Sequence, residues 1–136
     1  MNIFLNTSAL IAWFNKKDKY HEEAQRILME IRNGRIGFTK FITSDYVFDE
    51  TLTFFESVLK DHELAVQVGE ALLGSSYLYL NRVDPDVFES GWERFRESTG
   101  MSFTDCTSMV IMDRLGVNTV FTFDSHFKNA GYNQLA

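Results

Sequence analysis

Cysteine and proline are nearly absent from this chain, which has one of each in 136 residues. A single cysteine excludes an intramolecular disulfide, so nothing in the sequence requires an oxidising compartment. No apolar run approaches the roughly 20 residues that a membrane-spanning helix needs. The N-terminus also lacks a basic segment followed by a long apolar run, which a signal peptide would have. We therefore expect a cytoplasmic protein that does not bind a membrane.

Positive charge is also in short supply, because the formal net charge is −6. Residues 1–40 hold seven Lys and Arg against four Asp and Glu, a net of +3. Residues 41–136 hold six against fifteen, a net of −9. This balance argues against non-specific phosphate binding by the whole surface. The uneven charge is compatible either with an ordinary solvated surface or with a basic rim beside an acidic pocket. The candidates for the basic rim are Lys16, Lys17, Lys19 and Lys40.

The residues that are present favour one α/β domain over residues 1–136, with 45% apolar residues to build its core. Short apolar runs alternate with segments whose apolar residues recur at helical spacing. This alternation predicts right-handed crossovers and a mostly parallel sheet covered by helices on both faces. The tail over residues 125–136 has no clear pattern. Predicted strands cover residues 3–5, 36–39, 77–80 and 117–123, and predicted helices cover 9–14, 20–32, 43–60, 61–74, 85–98 and 102–115.

Polar side chains are expected to gather at one edge of this sheet. The first strand ends at Asn6, and the strand over residues 117–123 is followed directly by Asp124. Two further acids, Glu50 and Asp105, lie in helices that follow polar loops. In a parallel sheet, helix N-termini and strand C-termini share one edge. Three carboxylates and one amide should therefore converge there from four separate places in the chain.

Such a cluster of carboxylates has a chemical and a structural interpretation. Clustered carboxylates raise one another's pKa unless a cation neutralises them. All-oxygen ligands select a hard ion such as Mg²⁺ or Mn²⁺, which suits phosphodiester hydrolysis. Structurally, Asp105 fits the first turn of a helix, and Asp124 can cap a following one. Glu50 can equally be a surface acid and Asn6 a plain turn residue, so the spacing leaves both interpretations open.

Four blocks of the sequence resemble the PIN-domain ribonucleases, most closely the VapC toxins of VapBC toxin–antitoxin pairs. The blocks are NIFLNTSALIAWF, TSDYVFDETLTFF, SFTDCTSMVIM and TVFTFDSHF, and their order and spacing match the family over nearly the whole chain. The resemblance implies a three-layer α/β/α fold with a parallel sheet of four or five strands. It also implies an endoribonuclease that uses Mg²⁺ or Mn²⁺ to hydrolyse RNA. The implied partners are a cognate antitoxin and a second copy of the chain, as a homodimer.

The resemblance also assigns roles to individual positions. Thr7 and Ser8 match the polar residues after the family's first acid, and their hydroxyls are expected to support the site. The match gives the inward position to Glu50 rather than to its neighbour Asp49. Apart from the resemblance, the position of His126 two residues after Asp124 suggests a general acid, but we expect a solvent-facing loop histidine instead. The family's acids, which bind the metal and carry catalysis, fall on Asn6, Glu50, Asp105 and Asp124.

Asn6 departs from the family pattern, which has Asp at this position. An amide oxygen can still bind a metal, but the loss of one negative charge should lower both metal affinity and rate. The residue is either natural or a deliberate change that disarms a toxic nuclease, and the intact flanking residues favour the second. An alternative function is a catalytically inactive PIN-fold regulator that binds RNA or protein. A metal-dependent phosphatase is disfavoured, since the chain lacks the paired Asp motif of such enzymes.

Overall fold

Five parallel strands form the centre of the molecule. The computed structural model describes residues 1–38 and 40–136. The strands are β1 (Asn2–Leu5), β2 (Lys40–Ser44), β3 (Leu78–Asn81), β4 (Thr119–Phe121) and β5 (Asn133–Leu135). They form one sheet in the order β3-β2-β1-β4-β5, and each pairs in parallel with its neighbours. The predicted α/β fold with a parallel sheet of four or five strands is confirmed.

Helices connect successive strands, as parallel pairing requires. They are α1 (Thr7–Phe14), α2 (His21–Arg32), α3 (Asp45–Thr53), α4 (His62–Gly74), α5 (Pro85–Glu97), α6 (Phe103–Leu115) and α7 (His126–Asn129). A π-helical segment, Phe54–Val58, directly continues α3. In the part of the chain that the structure describes, no helix has the length and apolar character needed to cross a bilayer.

Strand β1 lies at the centre of the sheet and of the core. Ile3, Phe4 and Leu5 are essentially inaccessible to solvent. The chain runs from β1 outward through β2 to β3, and then returns to the other side of β1 for β4 and β5. In an open parallel sheet this reversal of strand order opens a crevice at the carboxyl ends of the two central strands. The crevice between β1 and β4 is therefore where the fold places a site.

Serine caps fix the start of the two helices that border this crevice. The Ser44 Oγ accepts the N–H of Val47 at 3.1 Å, which starts α3. The Ser102 Oγ accepts the N–H of Asp105 at 3.0 Å, which starts α6. These bonds satisfy N–H groups that the first turn of a helix leaves without a backbone partner.

The predicted strand over residues 36–39 is wrong in position. The observed strand, β2, begins after this range, and Thr39 itself lies outside the described residues. The hydroxyl of Thr43 donates to the backbone oxygen of Leu5 in β1 at 2.9 Å, and Ser44 is both the last residue of β2 and the cap of α3. The strong capping propensity of these two residues indicated the helix but concealed the strand before it.

Two other segments differ from the sequence-based prediction. The predicted helix over residues 43–60 is α-helical only through α3, after which it continues as the π-helical segment. The tail, which had no assignment, forms α7 and β5. Its position is fixed by Tyr132, whose hydroxyl donates to Asp113 Oδ1 at 2.7 Å and accepts from Arg94 at 3.1 Å. These contacts join the tail to α5 and α6.

Helices α5 and α6 pack closely at Gly91, and this contact gives a stability prediction. A Cβ at Gly91 would lie 2.7 Å from Cγ2 of the fully buried Thr107. We expect Gly91→Ala to lower the free energy of unfolding by roughly 1–3 kcal/mol in urea denaturation. Adding Thr107→Ser to Gly91→Ala removes that methyl group and should restore most of the lost free energy of unfolding. Gly74→Ala is the control, since nothing lies within 4 Å of its added Cβ; equal effects of the two alanines would contradict the prediction.

Candidate active site

The carboxyl ends of β1 and β4 border a groove of about 340 Å³. The sheet itself fixes two of its residues, because Asn6 follows β1 directly and Asp124 lies just after β4. The backbone N–H of Asn6 also donates to the oxygen of Phe121 at 3.1 Å, which joins the two strand ends. All six positions singled out from the sequence line the groove: Asn6, Thr7, Ser8, Glu50, Asp105 and Asp124.

Asn6 is almost fully buried, with 3% of its surface exposed. Its Nδ2 donates to the hydroxyl oxygen of Thr122 at 3.1 Å. Its Oδ1 is buried and has no hydrogen-bond partner among the described residues. A buried carbonyl oxygen without a partner costs about 1–3 kcal/mol. The Asn6 Oδ1 is therefore an atom that a ligand with positive charge or a donor group would satisfy.

Thr122, which was not singled out from the sequence, holds the residues around Asn6 in place. Its Oγ1 accepts from Asn6 Nδ2 and, at 3.1 Å, from the backbone N–H of Asp124. Its own proton is therefore directed at Ser8 Oγ, 3.0 Å away. The Ser8 Oγ also accepts the N–H of Phe123 at 2.8 Å. The available sequence signal was the position of Thr122 between β4 and Asp124, at the strand end where the site was expected.

Asp105, Asp124 and His126 form a cluster whose ligand atoms all lie within 4.8 Å of one another. The Nδ1 of His126 lies 3.0 Å from Asp124 Oδ1 and 3.4 Å from Asp105 Oδ2. The backbone N–H of His126 also donates to Asp124 Oδ1 at 2.9 Å. The expectation that His126 simply faces solvent is therefore wrong. This turn at the start of α7 brings the imidazole against both carboxylates.

The electrostatics of the groove favour a bound cation. Burial raises the pKa of the Asp105 carboxyl above its ordinary value, and the charge of Asp124 raises that pKa further. Glu50 acts in the same direction, whereas the hydrogen bond and charge of His126 lower the pKa. An added cation would stabilise the ionised form of each carboxylate.

Glu50 differs from the buried acid Asp105 because it is exposed at the mouth of the groove. It lines both this groove and a neighbouring one of about 340 Å³, whereas Asp49 lines only the neighbouring one. Adjacent residues of a helix diverge by about 100°. Glu50 rather than Asp49 is therefore beside the cluster. Asp45, at the start of α3, instead accepts the N–H of Val83 at 2.9 Å.

Similarity to known proteins agrees with this geometry. The model of the PIN domain matches residues 3–132. The chain belongs to the PIN-domain family. It is similar to the 23S rRNA-specific endonuclease VapC20 of Mycobacterium tuberculosis, from strains CDC 1551 / Oshkosh and ATCC 25618 / H37Rv. The two sequences are 29% identical over 132 residues, which cover 96% of this chain and 95% of VapC20. The crystal structure of M. tuberculosis VapC20, described as a Sarcin-Ricin loop cleaving toxin, matches with a TM-score of 0.83 at 29% identity, over 96% of this chain and 95% of that one.

The groove of this PIN domain has a donor set that fits a divalent cation. Separations of 3.0 and 3.4 Å between His126 Nδ1 and the two carboxylate oxygens suit neighbouring ligands with bonds of about 2.1 Å. The buried, unpartnered Oδ1 of Asn6 lines the same groove. Carboxylate and amide oxygens suit Mg²⁺ or Mn²⁺, and an imidazole nitrogen also suits transition metals.

Proposed function

We propose that this PIN domain is an endoribonuclease toxin of a toxin–antitoxin pair, that it uses Mg²⁺ or Mn²⁺, and that Asn6 lowers its activity. The observation that carries the proposal is that four distant positions line one groove at the reversal of strand order. They are the positions of the acids in the resembled family. Similarity to VapC20, whose name specifies 23S rRNA, supports RNA as the substrate class.

Residues in and beside the groove have distinct roles in the proposed phosphodiester hydrolysis. A bound Mg²⁺ or Mn²⁺ would supply a Lewis acid that activates water and neutralises charge developing on the phosphate. Asp105, Asp124 and His126 would hold the ion together with the Oδ1 of Asn6. Glu50, at the mouth, accepts a proton from the attacking water. Thr122 is a positioning residue, because its hydroxyl fixes Asn6.

The amide of Asn6 accounts for a lowered activity. A carboxylate at this position would add a negative charge and offer two acceptor oxygens, whereas Asn6 offers one neutral oxygen and an N–H donor. The groove therefore attracts a divalent cation less strongly than a site with four acids. The same observation favours the second candidate function, a catalytically inactive PIN-fold regulator that binds RNA or protein without cleaving it.

The proposed partners follow from the similarity to a VapC toxin. They are an RNA substrate, a cognate antitoxin and a second copy of the chain in a homodimer, all in the cytoplasm. Exposed apolar side chains are candidates for the two protein interfaces, since contiguous patches of such side chains mark association surfaces. They include Leu73 of α4 and Phe88 and Trp92 of α5, which are 65%, 49% and 47% exposed.

RNA cleavage with and without metal tests the proposed function. The chain and its Asn6→Asp variant are incubated with total RNA in Mn²⁺ or in EDTA, and the fragments are mapped by sequencing their ends. We expect defined fragments from Asn6→Asp in Mn²⁺ only. An inactive regulator would bind RNA and yield no fragments in either form. Equal cleavage in EDTA would contradict the metal dependence.

The cluster gives a prediction on metal affinity that does not depend on cleavage. We expect His126→Ala to weaken Mn²⁺ binding by about 10-fold, because a nitrogen ligand beside two carboxylates is lost. Titration followed by electron paramagnetic resonance of free Mn²⁺ measures this change. His62→Ala is the matched control, since His62 also contacts a carboxylate, Glu56 Oε2 at 2.7 Å, but lies outside the groove. If His126→Ala binds Mn²⁺ with unchanged affinity, the imidazole is not a ligand of the metal.

A further inference from the structure

The turn between α1 and α2, residues 15–20, is ordered by its own polar side chains. The Oδ1 of Asn15 accepts the N–H of Lys17 at 3.2 Å. The Oδ1 of Asp18 accepts the N–H of Tyr20 at 2.8 Å. Side-chain to backbone bonds of this kind hold a turn in one conformation. The lysines and the tyrosine of the turn therefore project from a fixed backbone.

Tyr20 occupies a position that its residue type does not explain. It is the N-cap of α2, where Ser, Thr, Asp or Asn is preferred, and its side chain makes no capping hydrogen bond. Its surface is 39% exposed. The Tyr20 ring therefore adds no capping hydrogen bond to α2, and its contacts lie outside that helix.

The ring of Tyr20 is joined to the groove through Phe123. The two rings are stacked, with centroids 4.6 Å apart and planes 4° from parallel. Phe123 donates its backbone N–H to Ser8 Oγ at 2.8 Å, and Ser8 lines the groove. The residue after Phe123 is Asp124 of the acidic cluster. The stacked pair is thus fixed directly beside the candidate active site.

Positive charge surrounds this stacked pair. The Nζ of Lys19 lies 4.9 Å from the centroid of the Tyr20 ring. Lys16 and Lys17 are exposed in the same turn. Within residues 1–38 and 40–136, none of these three lysines forms an ion pair. Ammonium groups without a carboxylate partner, beside a flat ring, complement both parts of a nucleotide, its phosphate and its base.

We propose that Tyr20, Phe123, Lys16, Lys17 and Lys19, here called the Tyr20 platform, bind a nucleotide of the RNA substrate next to the phosphodiester that is cleaved. A base stacks on the face of the Tyr20 ring opposite Phe123, where it displaces the Lys19 ammonium, and the lysines contact the adjoining phosphates. The inference rests on the proposed nuclease function. It deepens that function by locating where single-stranded or unstacked RNA enters the groove.

Charge and continuity favour RNA over a protein as the occupant. Four of its five residues, including all three lysines, lie in the part of the chain with a net charge of +3, whereas Phe123 lies in the remainder, which carries −9. It also continues into the groove where the phosphodiester must lie. An acidic protein segment would use the lysines but would not need the flat ring of Tyr20. The effect of removing only the ring therefore separates the two occupants.

Binding of a defined RNA measures the platform directly. The probe is a fluorescein-labelled 12-nucleotide single-stranded RNA, titrated with the chain in Ca²⁺ and followed by fluorescence anisotropy. We expect Tyr20→Ala to weaken binding by about 10-fold, because one base loses its stacking surface. Tyr20→Phe keeps the ring and should bind within about twofold of the unchanged chain. Replacing the three lysines by Gln should reduce the slope of log Kd against log salt by about 2.

The chain offers a matched control at the other edge of the sheet. Lys40 was a candidate for the basic rim, but it begins β2 at the amino edge of the sheet, opposite the groove, and its Nζ lies 5.6 Å from the ring of Tyr79. Tyr79 is 53% exposed. The variants Tyr79→Ala and Lys40→Gln should leave RNA binding unchanged. Equal losses from Tyr20→Ala and Tyr79→Ala would overturn the platform.

Cleavage kinetics separate failure of the platform from failure of the proposed function. If Asn6→Asp cleaves RNA and the added Tyr20→Ala raises KM with kcat little changed, the platform is supported. If Asn6→Asp cleaves and Tyr20→Ala leaves KM unchanged, the platform is overturned and the nuclease function stands. If Asn6→Asp neither binds nor cleaves RNA, both are overturned. Loss of antitoxin binding by Tyr20→Ala with RNA binding intact would assign the platform to protein and overturn the proposal.

Discussion

Replacing Asn6 by Asp is expected to raise Mn²⁺-dependent RNA cleavage by at least about 100-fold, or roughly 2.7 kcal/mol in activation free energy. The physical reason is the geometry around residue 6. Its side chain is buried beside Asp105 and Asp124, and its Oδ1 has no hydrogen-bond partner among the described residues. A carboxylate at this position completes the charge that a divalent cation neutralises. It therefore raises both metal affinity and the fraction of active enzyme.

The Asn6→Asp prediction is checked by the initial rate of cleavage of a labelled RNA in Mn²⁺. Asn33→Asp is the charge-matched control, since Asn33 is exposed at the end of α2 and lies outside the groove. Asn6→Ala should be no more active than the unchanged chain, which separates the effect of added charge from that of removing the amide. Equal rates of RNA cleavage by the unchanged chain and by Asn6→Asp would contradict a role for residue 6 at the metal site.

The position of the groove was predictable because it depends on the order of elements along the chain. A buried strand followed by Asn6, and a second strand followed by Asp124, must end at the same edge of a parallel sheet. The caps that start α3 and α6 then bring Glu50 and Asp105 to this edge. Local signals therefore sufficed to bring these elements to one edge, whereas the choice of Glu50 over Asp49 and the significance of the amide at residue 6 came only from the family resemblance.

Contacts between distant parts of the chain could not be predicted from local patterns. Thr122 contacts Asn6 across 116 residues of sequence, and nothing near Thr122 indicates that partner. His126 is turned toward the carboxylates by a bond from its own N–H to Asp124, which only the folded turn shows. Strand β5 has three residues without an apolar alternation, and it forms because β4 offers an edge for pairing.

The second large effect is expected at Asp105, and it has opposite signs for activity and for stability. In the Asn6→Asp background, Asp105→Asn should lower Mn²⁺-dependent cleavage by at least about 100-fold, since loss of even an outer-sphere partner of a metal typically costs 10- to 100-fold. In EDTA the same change should raise the free energy of unfolding at neutral pH. It removes a buried charge that repels Asp124 when no cation is bound.

The pH dependence of stability tests the electrostatic part of this prediction. The pKa of Asp105 is raised in the folded protein, so the folded state keeps a proton that the unfolded state has lost. The free energy of unfolding should therefore fall as pH rises from 3.8, the ordinary pKa, through the higher folded-state pKa. Urea denaturation in EDTA at a series of pH values should show a smaller fall for Asp105→Asn. Asp86→Asn, an exposed first-turn acid of α5, is the control, and an equal change of slope in both variants would contradict the assignment.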